Sequence, residues 1–292
     1  NESDFLKKIL ITGSSGFIGK NLVESLLSEY KVIGLSKKNS KLNHITKDIS
    51  KITSKDFKNI FCVIHLAAIT DLKVCENFPD KCITTNVLGT QKMLEAARKN
   101  NCKVIYVSTS HVYGIPKKIP ISEITPTSPT SMYAGSKLAG EILCESYSKQ
   151  FDMDISIARI FSVYGPKSGK QYVLSNILSQ LKKSNIIKLG NIKSKRDFVF
   201  ITDVVNALKI ILNNINGFNV YNIGTGTSYS ILDICKKLEK LYDKKIIIKL
   251  NSNQSRLFDP KNIICNNLKL KKLGWNPTIS INMGLKKTFD NY

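Results

Sequence analysis

The 292-residue chain lacks any apolar run near the roughly 20 residues a membrane span needs, which argues against a membrane helix. It also lacks a Cys-x-x-Cys pair. Its seven cysteines (Cys62, Cys75, Cys82, Cys102, Cys144, Cys235 and Cys265) are odd in number and scattered. That distribution argues against a zinc centre or a disulfide framework and suits free thiols in a reducing cytoplasm. No secretory leader is expected, because the first apolar run passes directly into a glycine loop. Internal repeats, low-complexity tails and arginine-rich tracts are absent as well. Acidic residues are scarce: 22 Asp and Glu against 44 Lys and Arg leave a net charge of +22. The lysines run along the whole chain, without the basic-aromatic interleaving of a nucleic-acid reader. The charge therefore reads as compositional, neither a nucleic-acid nor a membrane surface, with some benefit in drawing anionic substrates.

What is present begins with Lys8-Ile-Leu-Ile-Thr-Gly-Ser-Ser-Gly-Phe-Ile-Gly-Lys-Asn-Leu22. Ile9 to Ile11 reads as a short buried strand. Gly13, Gly16 and Gly19 follow, and then a stretch of helical periodicity to Leu27. A strand turning through glycines into a helix suits a dinucleotide. The glycines allow a tight turn and a close pyrophosphate, and the helix N-terminus supplies free N–H groups and a positive dipole end. Without a ligand, the same stretch would be only a tight packing turn.

Further strands are expected at Lys31 to Leu35, His44 to Asp48, Phe61 to Leu66, Lys103 to Ser108 and Ile155 to Ile160. Helices are expected at Asp80 to Asn100 and Tyr133 to Phe151. Strands alternating with helices imply an α/β fold with a doubly wound parallel sheet, Rossmann-like, with ligands at the strand carboxyl ends. After Pro166 the pattern loosens into a smaller mixed α/β lobe. The expected division is a dinucleotide-binding domain over 1–164 plus about 198–225, interleaved with a substrate lobe over 165–197 and 226–292.

The end of the second strand reads Ser36-Lys37-Lys38, where an acidic residue would bind the ribose hydroxyls of NAD. A hydroxyl and two ammonium groups suit a 2′-phosphate, which favours NADP; alternatively the lysines are simply solvated. Asp48 is a candidate acceptor for the adenine amino group, or a turn residue. Tyr133 and Lys137 stand at i and i+4 on one helix face. A phenol titrates near 10. A neighbouring ammonium favours the phenolate, so Tyr133 can exchange a proton with a substrate hydroxyl or ketone while hydride moves to or from a nicotinamide. Thr109, after the strand that begins at Lys103, can hold the same oxygen.

Nine stretches then occur in order: TGSSGFIG (Thr12 to Gly19), HLAA (His65 to Ala68), TNVLGT (Thr85 to Thr90), VSTSHVYG (Val107 to Gly114), YAGSK (Tyr133 to Lys137), RIFSVYGP (Arg159 to Pro166), RDFVFITDVV (Arg196 to Val205), YNIGTG (Tyr221 to Gly226) and LGWNP (Leu273 to Pro277). Together they resemble the extended short-chain dehydrogenase/reductase family, the nucleotide-sugar epimerases, dehydratases and reductases, across nearly the whole chain. The resemblance implies that Thr109, Tyr133 and Lys137 are catalytic. It implies cofactor contacts from Gly13, Gly16, Phe17, Ile18, Gly19, Ser36, Lys37, Asp48, Ile49, Leu66, Ala67, Ala68, Ser108 and Ile160, together with Tyr133 and Lys137. Asn86 falls at a structural position that supports the site. Ser110, Ser162, Arg196, Arg256 and Asp259 fall at substrate positions, the two arginines at the pyrophosphate and Asp259 at the nucleoside ribose. Ser162 departs from the asparagine often found there, and a surface ion pair is the plainer reading of Arg256 and Asp259. No metal is implied.

Hexose 4,6-dehydratases carry acidic residues after the catalytic threonine, for the elimination of water. Here Ser110 and His111 stand there, which argues against 4,6-dehydration. The expectation is a reductase acting at C4 of a 4-keto(-6-deoxy)-hexose nucleotide (GDP-, CDP-, UDP- or dTDP-linked), with NADP(H) favoured and NAD(H) as the other candidate. The alternative is an NAD-dependent nucleotide-sugar 4-epimerase. A non-catalytic dinucleotide-binding regulator is the distant alternative, since such a protein would be expected to lose Tyr133 or Lys137. A cytoplasmic homodimer, paired through the helices at Asp80 to Asn100 and Tyr133 to Phe151, is also expected.

Overall fold

The computed structural model describes residues 6–38, 43–169, 171–251 and 259–291. The chain opens with β1 (Lys8–Thr12), α1 (Phe17–Leu26), β2 (Lys31–Ser36), β3 (His44–Thr46) and β4 (Cys62–His65). There follow α2 (Leu72–Asn77), α3 (Pro79–Ile83), α4 (Gly89–Lys99), β5 (Lys103–Thr109), α5 (Met132–Phe151) and β6 (Ile155–Ile160). The later elements are β7 (Ser162–Tyr164), α6 (Val173–Leu181), β8 (Ile186–Leu189), β9 (Lys195–Phe200), α7 (Ile201–Asn213), β10 (Phe218–Ile223), β11 (Ser228–Ser230), α8 (Ile231–Tyr242), β12 (Ile247–Leu250), β13 (Asn262–Ile263), α9 (Leu268–Lys271) and α10 (Ile281–Asp290).

Among the described residues, seven strands form one sheet in the order β10-β6-β5-β4-β1-β2-β3. β1 runs parallel to both β2 and β4, Leu10 facing Ile33 on one side and Val63 on the other. β4 and β5 are parallel too. All four residues of β4 and all six of β6 are buried, as expected where helices cover both faces of a parallel sheet. Leu10, Val63, Val104, Met93 and Tyr106 join one core and are fully buried. Each aliphatic side chain so buried contributes about 1.5–3 kcal/mol. The strand order reverses at β1, so the loops after β1 and β4 leave in opposite directions. That is the switch point where doubly wound sheets bind ligands.

The chain divides into two compact units. The first takes Asn1–Val112, Pro129–Arg159 and Val205–Tyr221; the second takes Tyr113–Ser128, Ile160–Val204 and Asn222–Tyr292. These divisions differ from the expected ones, which put 113–128, 160–164, about 198–204 and 222–225 with the dinucleotide-binding part. The pairing explains the difference: β7 leaves the large sheet and runs parallel to β9. β11 and β13 pair with β9 on opposite sides of it, and β8 pairs with β12. The Tyr113 hydroxyl donates to Asn222 Oδ1 at 2.7 Å, and Asn222 Nδ2 donates to the Ile121 carbonyl at 3.0 Å. The Tyr of VSTSHVYG and the Asn of YNIGTG thus form one buried polar clasp within the second unit.

Two further motifs are structural in the same way. Asp203 is fully buried; its carboxylate accepts from Thr278 N, Thr278 Oγ1 and Ile279 N, and its carbonyl accepts from the Trp275 indole at 3.0 Å. That set pins LGWNP to the end of RDFVFITD. The single helix expected at Asp80 to Asn100 is instead α3, a π-turn over Thr84–Leu88 and α4. The wider turn accommodates the buried side chain of Asn86.

Candidate active site

The site in the first unit is built from the ends of β1, β4 and β5 and the start of α5. Gly13 leaves β1 with φ +70°, a conformation that L side chains avoid. A Cβ on Gly13 would stand 2.8 Å from Ala67 N, and one on Gly19 would stand 2.4 Å from Gly13 O. The loop is therefore closed on HLAA on one side and on itself on the other. Gly16 caps α1 without a side-chain hydrogen bond. The positive end of this ten-residue helix thus meets no capping side chain, which suits an anion. Phe17 and Ile18 lie in its first turn and are partly exposed. Ser14 Oγ and Ser108 Oγ are buried without a protein partner among the described residues. A cradle that a Cβ would fill, a helix start without a side-chain cap and two orphaned hydroxyls fit a dinucleotide.

A neutral histidine ties this loop to the floor of the site. His65 is fully buried at the end of β4. Thr90 Oγ1 donates to the Asn86 carbonyl at 2.6 Å, so at its 3.1 Å contact with His65 Nε2 it accepts. The Nε2 nitrogen therefore carries the proton, and Nδ1 accepts from Thr12 Oγ1 at 2.7 Å. Thr12 Oγ1 in turn accepts from Ala67 N at 3.2 Å. Burial, and to a smaller degree the nearby Lys137 charge, hold the imidazole down at about 3. Asn86 extends the network. Its Oδ1 accepts from Ile69 N at 2.7 Å, and its Nδ2 donates to Ile69 O at 3.0 Å and to Ser136 Oγ at 2.9 Å. Ser136 Oγ donates to the Tyr133 carbonyl at 2.8 Å. The sequence placed Asn86 as a support but missed His65, Thr90 and Ser136. The only available signal was a histidine at the end of an otherwise apolar run.

α5 starts at Ser131, whose Oγ accepts from Ala134 N at 3.2 Å. This cap puts Tyr133 in the first turn and Lys137 one turn later on the same face. Lys137 is 2% exposed, and its ammonium lies 4.1 Å from the centre of the Tyr106 ring. Burial pulls it down to about 8, opposed by Cys144, Glu141 and Cys82. Thr109 and Ser110 are buried at the end of β5, and Thr109 Oγ1 accepts from His111 N at 3.2 Å. His111 is exposed, with its ring edge-on to Tyr133 at 6.0 Å between centres. Threonine, phenol and ammonium thus stand on two elements of the same unit, a set suited to moving one proton at a carbinol oxygen.

The remaining sequence candidates fall as follows. Ser36 Oγ donates to the Lys38 carbonyl at 2.8 Å and contacts His44 Nε2 at 3.2 Å. Lys37, an expected phosphate ligand, is paired at 2.7 Å with Asp48, an expected adenine ligand. Lys37 and Ser50 N–H hold the Asp48 carboxyl down at about 2 against the opposing effect of burial. Ile49 and Ile160 are buried, while Leu66, Ala67 and Ala68 are partly exposed.

In the second unit, Ser162 opens β7. Arg196 is ion-paired with Asp259 and donates to the Pro260 carbonyl at 2.8 Å. The Asp259 Oδ2 accepts from Asn191 Nδ2 at 2.9 Å and from Ser194 Oγ at 2.7 Å. Two residues expected on different parts of a nucleotide are therefore partners of each other. Arg256 lies outside the described residues. Beside Arg196, Asp197 is fully buried and accepts from Thr225 N, Thr225 Oγ1, Gly226 N and Cys265 N.

Comparison with known proteins agrees with this chemistry. Residues 9–224 match the model of the NAD dependent epimerase/dehydratase family. The dTDP-D-glucose 4,6-dehydratase of Bos taurus is 30% identical over 99% of this chain and 89% of its own length. The UDP-glucose 4-epimerase of Mycolicibacterium smegmatis is 29% identical over 97% of each chain. Among solved structures, the UDP-glucuronic acid 4-epimerase from Bacillus cereus, in complex with UDP-glucuronic acid and NAD, superposes with a TM-score of 0.89 at 33% identity, covering 97% of this chain and 98% of that one.

Proposed function

Because the chain belongs to the NAD-dependent epimerase/dehydratase family, we propose that it is an NAD-dependent 4-epimerase of a UDP-linked sugar. The observation that carries this reading is the set Thr109, Tyr133 and buried Lys137, with Ser110 and His111 in place of acidic residues. This set can deprotonate and reprotonate a carbinol, and it offers no carboxylic acid for eliminating water. Two findings favour epimerisation over the reductase expected from Ser36-Lys37-Lys38. Similar structures are 4-epimerases holding NAD, and Lys37 is engaged by Asp48, which leaves less cationic charge for a 2′-phosphate.

When bound, NAD supplies a hydride acceptor and donor for C4. Tyr133 Oη takes the proton of the C4 hydroxyl and returns it to the C4 oxygen on the other face of the turned sugar. The Lys137 ammonium steadies the phenolate, and Thr109 Oγ1 holds the C4 oxygen. Arg196, Ser162 and Asp259 are assigned to the nucleotide. Ile83, Leu88 and Ile142, large apolar residues exposed on α3, the π-turn and α5, support a homodimer, and the scattered free thiols support a cytoplasmic setting.

The test is incubation of the purified protein with UDP-glucose or UDP-glucuronic acid without added reduced nicotinamide, followed by chromatographic separation of C4 epimers. Interconversion is expected. Stoichiometric NADPH oxidation with a 4-ketosugar nucleotide, and no epimer formed, would return the assignment to a reductase.

A further inference from the structure

Cys75 on α2 and Cys82 on α3 are both fully buried, and their sulfurs approach to 2.7 Å. That separation lies between the ~2.05 Å of a disulfide bond and an ordinary non-bonded sulfur contact. No other sulfur–sulfur contact is seen among the described residues, and all seven cysteines are free. The break between α2 and α3 at Phe78-Pro79 folds the second helix back, so that a seven-residue separation becomes a direct contact. This thiol pair also sits on the network that positions the catalytic helix. Cys82 Sγ accepts from Asn86 Nδ2 at 3.4 Å and lies 3.4 Å from Ser136 Oγ, and Cys75 Sγ donates to the Ile69 carbonyl at 3.5 Å.

We propose that Cys75 and Cys82 form an oxidisable dithiol, a modification site at which a small peroxide makes a disulfide that couples to the catalytic helix. In the first step the Cys82 sulfur attacks hydrogen peroxide. An S–O bond forms, the O–O bond breaks, and one water leaves with the thiol proton. In the second step the Cys75 sulfur attacks the Cys82 sulfenic acid. An S–S bond forms, the S–O bond breaks, and the second water leaves with the Cys75 proton. Two thiols lose two electrons in total, and one peroxide is reduced to two waters.

The order of the roles follows from the surroundings. The Asn86 amide points at the Cys82 sulfur and Ser136 Oγ lies 3.4 Å from it, so this sulfur has polar neighbours to hold a sulfenic oxygen. Burial and the Cys82 neighbour push the Cys75 thiol up to about 12, so it keeps its proton and is not the sulfur that meets the peroxide first. The burial of both sulfurs selects a small oxidant and excludes bulky mixed disulfides. Closing the bond draws the two helices together. It shifts the sulfur against which Asn86 and Ser136 rest, and these two side chains fix Ile69 and the Tyr133 carbonyl.

The experiment treats the whole protein with hydrogen peroxide and then alkylates the remaining thiols under denaturing conditions. Trypsin cuts after Lys73, Lys81 and Lys92. The expected product is therefore peptide 74–81 disulfide-linked to peptide 82–92, two hydrogens lighter than the sum of the two. Turnover is expected to fall about ten-fold, the order of effect that a small displacement of a catalytic group produces, and to recover with dithiothreitol. The variant Cys75→Ser should resist peroxide, with the same turnover before and after treatment. Alkylation of both thiols after peroxide, a sulfinic acid at Cys82 without linkage, or peroxide sensitivity of Cys75→Ser equal to that of the parent overturns the proposal. The peptide readout is independent of the epimerase reading, so the two can fail separately.

Discussion

Acidification should strip stability from this fold through a single histidine. The imidazole of His65 is held down at about 3, against an ordinary 6.5. Between those values the unfolded chain binds a proton that the folded one refuses. The unfolded state then holds more protons, and stability falls as pH falls from 6.5 to 3. The full window corresponds to about 5 kcal/mol at ~1.36 kcal/mol per unit. Lowering the pH from 7 to 4.5 takes about 2–3 kcal/mol of it, a large share of the ~5–15 kcal/mol of a typical protein. The assay is urea unfolding followed by circular dichroism at both pH values, for the parent and for His65→Gln. The amide of Gln offers a donor and an acceptor but cannot be protonated in this range. Asp48, held at about 2 by Lys37, stays ionised at pH 4.5, and changes at other carboxylates are common to both proteins and cancel. The parent should therefore lose about 2–3 kcal/mol more than the variant on acidification. A variant that is less stable at every pH does not disturb that comparison. Equal losses in the two proteins would refute the neutral, buried histidine and with it the Thr12–His65–Thr90 chain.

Tyr133→Phe removes the hydroxyl that moves the proton and should abolish turnover while leaving NAD affinity, measured by calorimetry, nearly intact; full activity would sink the assignment. Lys137 titrates near 8 in the folded protein, so kcat/KM should fall as pH rises through that value, and Lys137→Met should lack this alkaline limb. Gly19→Ala places a Cβ 2.4 Å from Gly13 O, which opens the loop and should weaken NAD binding about ten-fold or more, equivalent to about 1.4 kcal/mol. Asp197→Asn keeps the size of the side chain but turns an NH2 group toward N–H donors where a carboxylate oxygen accepted from them; it should cost about 3 kcal/mol in urea unfolding.

The parts legible in the sequence are those whose cause is local. A glycine at φ +70° and another against a carbonyl are demanded by the turn itself, so Gly13 and Gly19 could be read before any fold was known. Tyr133 and Lys137 share a face because a helix repeats every 3.6 residues, and that geometry needs no tertiary information. Buried strands announce themselves by an apolar run, as at Ile9 to Ile11 in β1, where all three side chains are fully buried. Long-range closure was not legible. His65 is one letter in an apolar run until Thr12 and Thr90, 53 and 25 residues away, are brought to its two nitrogens. The π-turn at Thr84–Leu88 escapes a periodicity count, because the turn is widened by what Asn86 must reach on β4's following loop and on α5. Arg196 and Asp259 show the same limit in sharper form. Read separately, each is a ligand for a different part of a nucleotide. Folded, they are partners, and Asn191 and Ser194 complete the carboxylate. Pairing of this kind keeps both groups in a satisfied state, since an unpaired guanidinium or carboxylate, partly withdrawn from water, costs more than one that is matched. A diphosphate that recruits Arg196 must therefore compete with Asp259 for it, so the affinity of this site depends on the difference between two ion pairs and not on the strength of either alone.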